Sequence, residues 1–132
     1  MSPTRQRTHT TINLASLQRI KADIIKHSPH PKQVTIIGVT KAHSFSAIQS
    51  AEKNNIFNIG ENRIQETEQK TKNKKLNPNT KLHLIGHLQR NKVSRALDLY
   101  NIIQSVDSIK LLNKINKTAE QKNKKQKIFL QI

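Results

Sequence analysis

Short apolar runs rich in β-branched residues recur along this chain, and their starts lie 20–26 residues apart. They occupy positions 34–39, 56–59, 82–85, 102–106 and 128–132. This interval is typical of units in which one strand is followed by one helix. Apolar strands that alternate with helices favour a parallel sheet covered by helices. The predicted fold class is therefore α/β.

Helical patterns fill the segments between these runs, and a further N-terminal helix precedes the first run. Ser44 predicts the start of one helix, and Asp107 or Ser108 predicts the start of another. The segment 62–75 has Ile64 as its sole apolar residue, so its buried stripe is predicted to be poor.

Chain length and composition limit the class of protein. The 132 residues are enough for one domain with one core, and the absence of cysteine excludes disulfides and thiolate metal sites. No apolar stretch approaches the length of a membrane span, and the N-terminal segment lacks the apolar part of a secretion signal. We therefore expect a polar tail over 1–12, a single domain over 13–132, and a cytoplasmic location.

The net charge of +16 raises the question of a polyanionic partner. Such a surplus attracts nucleic acid or anionic lipid. A surface that stacks single strands also needs exposed rings on a basic face, and aromatic residues are scarce here. The lysines are scattered among many asparagines and isoleucines rather than concentrated in one stripe. We therefore expect neither a specific nucleic-acid partner nor a membrane partner.

Lys41 comes directly after the first apolar run and just before a predicted helix start. A lysine at the end of a buried strand is expected to hold its amine in a partly desolvated cleft at the edge of the sheet. Burial disfavours the ammonium form, so such an amine can attack carbonyl compounds. The alternative is a solvated lysine that closes the strand.

Other polar and glycine residues also follow predicted strands. In parallel α/β folds the ligand site lies at the carboxyl ends of the strands. We therefore expect a common ligand site at this edge, formed by Lys41, the segment 60–62, Gly86 and His87. His83 and His87 are four residues apart, which is about 13 Å along a strand, so we expect no metal site there.

Four segments resemble a known family when they are taken in order. They are Gly38–Lys41 (GVTK), Ile59–Glu66 (IGENRIQE), His83–Lys92 (HLIGHLQRNK) and the terminal run 128–132 (IFLQI). The chain resembles the pyridoxal phosphate homeostasis proteins, also called the YggS or PROSC family, from about Leu14 onward.

This resemblance implies a (β/α)8 barrel of the TIM type, similar to the N-terminal domain of alanine racemase. It implies that pyridoxal 5'-phosphate is held as a Schiff base on Lys41, with Asn62, His83 and Gly86 at the same cofactor site. It also implies a non-catalytic role in vitamin B6 homeostasis, because the family has no established turnover.

The chain departs from the family pattern in two ways. Leu82 and Leu84 flank His83 where the family usually carries Trp and Phe, so we expect local repacking. The chain also stops at the predicted fifth strand, before the stretches that bind the cofactor phosphate in the family. We therefore expect a partial barrel of about five strands, weak cofactor binding, and self-association through open strand edges. The alternatives are a degenerate fragment without cofactor binding and a basic nucleic-acid-associated protein.

Overall fold

The computed structural model describes residues 11–132, so most of the predicted tail over 1–12 lies outside the described part. Within that part, five strands form one parallel sheet in the order β1-β2-β3-β4-β5. The strands are β1 (Gly38–Val39), β2 (Asn58–Glu61), β3 (Lys81–Leu84), β4 (Ile102–Val106) and β5 (Lys127–Leu130). The helices are α1 (Leu14–His27), α2 (Phe45–Lys53), α3 (Ile64–Thr71), α4 (Val93–Leu99) and α5 (Ile109–Gln121).

Each strand pairs with the strand that follows it in the sequence, and a helix lies in every connection. The register pairs Val39 with Gly60, Gly60 with His83, and His83 with Ile102. All five strands therefore end at one edge of the sheet, as the sequence predicts for α/β units.

The hydrophobic core lies between the sheet and its helices. Ile59, Leu84 and Ile103 are fully or almost fully buried and belong to one cluster with side chains of the helices, such as Ile48 and Leu97. Each buried side chain of this size contributes roughly 1.5–3 kcal/mol through the hydrophobic effect.

The opposite face of the sheet, which we call the inner face, is only partly covered by the described residues. A Cβ atom added at Gly60 would meet Ile37, Ile85 and Val39, so these side chains share the inner face. Val39 is 49% exposed, and Phe129 of β5 is 46% exposed. The described residues therefore leave part of the inner face open to solvent.

Helix α3 has a buried face that is largely polar. Thr67 is fully buried, its hydroxyl donates to the Arg63 carbonyl oxygen, and the hydroxyl of Tyr100 lies 2.6 Å away. Lys70 is buried one turn later. Helix α3 thus forms within the segment 62–75 although its apolar stripe is poor, because hydrogen bonds of Thr67 and Lys70 to distant partners add to the apolar contacts of Ile64.

Strand and helix ends follow the predicted pattern with small shifts. The first run forms ladder pairs only at Gly38–Val39, and β1 pairs with β2 alone. Ser108 rather than Asp107 caps α5, since its hydroxyl accepts from the Leu111 amide. Ser44 is the N-cap of α2, and its hydroxyl lies 2.6 Å from that of Ser46.

Candidate functional site

The carboxyl ends of β1, β2 and β3 bring three of the predicted site residues to one edge of the sheet. Lys41 lies in the turn after β1, Asn62 follows β2 directly, and Gly86 follows β3 by two residues. The register of β1 and β2 puts Lys41 at about the level of Asn62. This edge is the candidate site.

Lys41 is an exposed residue. The expectation of partly dry surroundings for its amine is therefore not met within residues 11–132. Its surroundings match those of a solvated lysine at a strand end. The role of Lys41 in holding a cofactor stays a prediction.

A buried ionic network lies directly behind this turn. Lys70 Nζ donates to Glu61 Oε1 at 2.6 Å and to the carbonyl oxygen of Thr40 at 2.7 Å. The hydroxyl of Thr40 donates to the same carboxylate oxygen. Side-chain exposure is 4% for Lys70 and 0% for Glu61. The network joins the ends of β1 and β2 to helix α3 on the side of the sheet that faces the helices.

A second carboxylate, which belongs to α3, contacts the far side of the turn. Glu66 Oε1 accepts from the backbone N–H of Ala42 at 2.5 Å, and Ala42 has a positive φ of 62°. Sequence reasoning did not identify Glu66 or Lys70 as parts of the site. Their spacing of four residues on a predicted helix was the available signal, and the two charged groups lie 3.8 Å apart.

Asn62 and Gly86 are in direct contact. A Cβ atom added at Gly86 would overlap Asn62 Oδ1 and the Asn62 carbonyl oxygen, so the close approach requires glycine. The hydroxyl of Ser105 donates to the Gly86 carbonyl oxygen at 2.5 Å. Asn62 also lines a groove of about 490 Å³ together with His87, Arg63 and other polar residues.

His83 lies further from the edge, in the middle of the sheet on the inner face. Its Nε2 lies 2.9 Å from Asn58 Oδ1, and its Nδ1 lies 2.9 Å from Gln104 Nε2. Burial lowers the pKa of His83, and the nearby ammonium groups of Lys127 and Lys81 lower it further. The lowered pKa favours the neutral ring, and its two nitrogens face Asn58 Oδ1 and Gln104 Nε2. A cofactor contact of His83 stays a prediction, and it would involve the face of the ring rather than a ring nitrogen.

The side-chain clusters and helices of residues 11–132 bear on two other features, a metal site and a membrane span. No group of three or more His, Asp or Glu residues in this range could hold a metal ion. None of the helices in the same range is long and apolar enough to cross a membrane.

The fold and the site together define a class of protein. A parallel sheet built from successive β/α units, with a lysine just after its first strand, is part of a barrel-type α/β domain. The profile of the family "Alanine racemase, N-terminal domain" matches residues 12–132, and the chain belongs to that family. The predicted α/β fold, a partial barrel similar to the N-terminal domain of alanine racemase, is therefore confirmed.

Curated relatives carry one name, pyridoxal phosphate homeostasis protein. The relative from Synechocystis sp. is 32% identical over 102 residues, which are 77% of this chain and 47% of the relative. The relative from Buchnera aphidicola of Acyrthosiphon pisum is 36% identical over 86 residues, 65% of this chain and 43% of the relative. The chain thus spans less than half the length of these two relatives. The resemblance that the sequence segments indicated is confirmed.

Solved structures agree with this assignment. PipY from Synechococcus elongatus, solved without pyridoxal phosphate, is similar with a TM-score of 0.72 and 32% identity, over 84% of this chain and 50% of PipY. Alanine racemase from Clostridium difficile, in complex with cycloserine, has a TM-score of 0.66 at 18% identity, over 89% of this chain and 32% of the racemase. The second likeness shows the fold alone.

Proposed function

We propose that this chain binds pyridoxal 5'-phosphate through Lys41 and takes part in pyridoxal phosphate homeostasis without turning over a substrate. The names of the curated relatives support the role. PipY has also been solved with pyridoxal phosphate bound, and that structure is similar with a TM-score of 0.68 and 28% identity, over 82% of this chain and 52% of PipY. The proposal keeps the cytoplasmic location that the sequence predicts.

The observation that carries the proposal is the position of Lys41. It is an exposed lysine at the carboxyl edge of the sheet, beside Asn62 and Gly86. Pyridoxal phosphate supplies an aldehyde carbon that condenses with a neutral amine, forming a carbon–nitrogen double bond and releasing water. The exposed side chain of Lys41 is accessible to that aldehyde, whereas the buried side chain of Lys70 is engaged by Glu61 and the Thr40 carbonyl oxygen.

The other residues of the edge would shape the space next to the amine. The side-chain amide of Asn62 can donate and accept hydrogen bonds, and Gly86 keeps the adjoining backbone free of a side chain. His83 supplies a neutral ring on the inner face, held on both sides by Asn58 and Gln104. These residues would orient a bound cofactor rather than react with it.

A non-catalytic role is supported by the state of the nearby carboxylates. Glu61 accepts from Thr40 and Lys70, and Glu66 accepts from the Ala42 amide. Hydrogen bonds within the protein engage both carboxylates, so neither is available as a proton-transfer group at the exposed end of Lys41.

The test is selective trapping of the cofactor. The full chain is mixed with pyridoxal phosphate, the visible absorbance band of the adduct is recorded, and borohydride makes the linkage permanent before peptide mapping. We expect the label to concentrate on Lys41, to vanish in Lys41→Ala, and to persist in the control Lys117→Ala, which removes an exposed lysine of α5. Label spread evenly over many lysines would contradict the proposal and favour a chain without specific cofactor binding.

A second candidate function is attachment to a polyanion. The specific observation is a groove with four cationic side chains and no acidic one. Its lining consists of Arg90, Asn91, Lys110, Asn113, Lys114 and Lys117. Retention on a polyanion column that survives moderate salt, and that a Lys114→Ala/Lys117→Ala variant loses, would favour this function, since phosphate contacts weaken steeply with salt.

A further inference from the structure

We propose that Glu66 is a positioning residue that fixes the backbone just after Lys41, while Lys70, held by its ion pair with Glu61, fixes the backbone just before it. This inference rests on the proposed role of Lys41 in holding pyridoxal phosphate. It assigns a task to Glu61 and Glu66, neither of which the family resemblance placed in contact with the cofactor.

One helix, α3, holds both neighbours of Lys41. On one side, Lys70 Nζ donates to the carbonyl oxygen of Thr40 at 2.7 Å. On the other side, Glu66 Oε1 accepts from the Ala42 amide at 2.5 Å. Glu66 and Lys70 are one helical turn apart on α3, so a rigid element clamps the residues before and after the reactive lysine.

The turn that contains Lys41 has an unfavourable backbone conformation at Ala42. The His43 amide donates to the Thr40 carbonyl oxygen at 3.1 Å, which closes a tight turn with Lys41 and Ala42 at its centre. Ala42 has φ of 62°, a left-handed conformation that is unfavourable for a residue with a Cβ atom. Such a conformation persists where surrounding contacts determine it. The bond to Glu66 is such a contact, because it engages the amide of the strained residue itself.

The ion pair between Glu61 and Lys70 anchors helix α3 behind the turn. Glu61 is fully buried at the end of β2 and accepts from both Lys70 and Thr40. The ion pair therefore ties α3 to β1 and β2, and it holds Glu66 at a fixed distance from the turn. It also keeps the amine of Lys70 engaged, so an aldehyde that enters at this edge meets the amine of Lys41.

The experiment compares three variants on the same helix. Glu66→Ala removes the acceptor of the Ala42 amide, Glu66→Gln keeps a carbonyl acceptor without the charge, and Glu68→Ala is the matched control. Glu68 pairs with Arg95 and does not touch the turn in the described contacts. Circular dichroism and urea midpoints establish that each variant is folded.

Two readouts are measured on the full chain. Amide hydrogen exchange at Ala42 is followed without cofactor, and borohydride trapping gives the share of pyridoxal phosphate label on Lys41. In Glu66→Ala we expect Ala42 exchange to accelerate and the Lys41 share to fall, each by roughly tenfold, as for the loss of one charge-assisted hydrogen bond. Glu66→Gln should retain most of the exchange protection at Ala42 and most of the label on Lys41. Glu68→Ala should match the wild type in both measurements.

The outcomes separate this inference from the proposed function. Wild-type label concentrated on Lys41, together with unchanged labelling and exchange in Glu66→Ala, would overturn the positioning role and leave the proposed function standing. The positioning role would also be overturned if Glu66→Gln lost as much Ala42 protection and Lys41 label as Glu66→Ala. A carbonyl acceptor at position 66 would then not be sufficient to hold the turn. Wild-type label no greater on Lys41 than on Lys117 would overturn the proposed function instead, while exchange at Ala42 would still decide whether Glu66 holds the turn.

Discussion

Lys70 Nζ lies 2.6 Å from Glu61 Oε1, and both side chains are almost completely buried beneath helix α3. The two residues are nine apart in sequence, and Thr40, which completes the network, lies a further 21 residues before Glu61. Glu61 Oε2 has no hydrogen-bond partner in the described part of the chain. The pair therefore carries a large desolvation cost, and it is tolerated because each charge compensates the other.

Replacement of Lys70 by methionine should destabilise the fold strongly. The substitution leaves the buried Glu61 carboxylate without its cation, and breaking a buried pair in this way typically costs about 3–5 kcal/mol. Urea unfolding at neutral pH would measure the loss in the free energy of unfolding.

The double variant Glu61→Gln/Lys70→Met tests the reason for that loss. It removes both charges, so we expect it to recover a large part of the stability that Lys70→Met loses. Lys72→Met, at an exposed residue just after α3, is the control and should change little. A Lys70→Met chain as stable as the wild type would show that the pair does not form.

Substitution of Gly86 by alanine should also be costly. The added Cβ atom would meet both Asn62 Oδ1 and the Asn62 backbone, and it would lie 2.7 Å from Asn62 Cγ. Overpacking of this kind costs typically about 1–3 kcal/mol. The matched control is Gly60→Ala, whose nearest atoms are the ends of the Ile37 and Ile85 side chains at 3.1 and 3.3 Å. Thermal unfolding of both variants measures the effect. The contact between Gly86 and Asn62 would be contradicted if Gly86→Ala lowered the unfolding temperature no more than Gly60→Ala does.

The order of the elements could be predicted from the sequence because it depends on local patterns. The run 102–106 coincides with β4, and the other runs overlap the strands with shifts of one or two residues at most ends. Hydrophobic periodicity reports burial against a core, and that signal is strong in β4, where Ile103 and Val106 are buried. The alanine racemase-like fold followed from motif segments rather than from periodicity.

The environment of the site could not be predicted in the same way. Whether Lys41 is buried depends on what covers the turn in space, and no local pattern contains that information. The hydrogen bond between Lys70 and Thr40 spans 30 residues, and the bond between Thr67 and Tyr100 spans 33. These polar contacts make α3 a stable helix, although its apolar stripe alone predicts a poor one.

Tyr100 provides a direct test of the buried polar layer under α3. Burial raises the pKa of Tyr100 to about 12, although its hydrogen bond with Thr67 acts in the opposite direction. The folded state therefore binds this proton more tightly than the unfolded state. The stabilising contribution is complete below about pH 10, the usual tyrosine pKa, and it is lost as the pH rises through about 12.

Near-ultraviolet absorbance can follow this ionisation cleanly, because the chain has one tyrosine and no tryptophan. We expect the tyrosinate signal of the native protein to appear near pH 12, or with unfolding, and that of the urea-unfolded protein near pH 10. Circular dichroism at each pH separates ionisation from unfolding, and Tyr100→Phe supplies the blank. A native titration that coincides with the unfolded one would contradict the burial of this hydroxyl.

We expect the 132-residue chain to self-associate through its inner face and the edges of its sheet. Within residues 11–132, β1 and β5 each pair on one side only, which leaves backbone groups available to another strand. Val39 and Phe129, on these two edge strands, are about half exposed, so association would bury apolar surface as well.

Light scattering coupled to size-exclusion chromatography would therefore show a mass that rises with protein concentration. Phe129→Lys should shift the chain towards the monomer, because an edge lysine opposes strand pairing. Ile109→Lys is the matched control, since Ile109 is 72% exposed but begins helix α5. A compact monomer at every concentration would mean that the open edges do not drive pairing, and the partly exposed inner face would then be stable in water by itself.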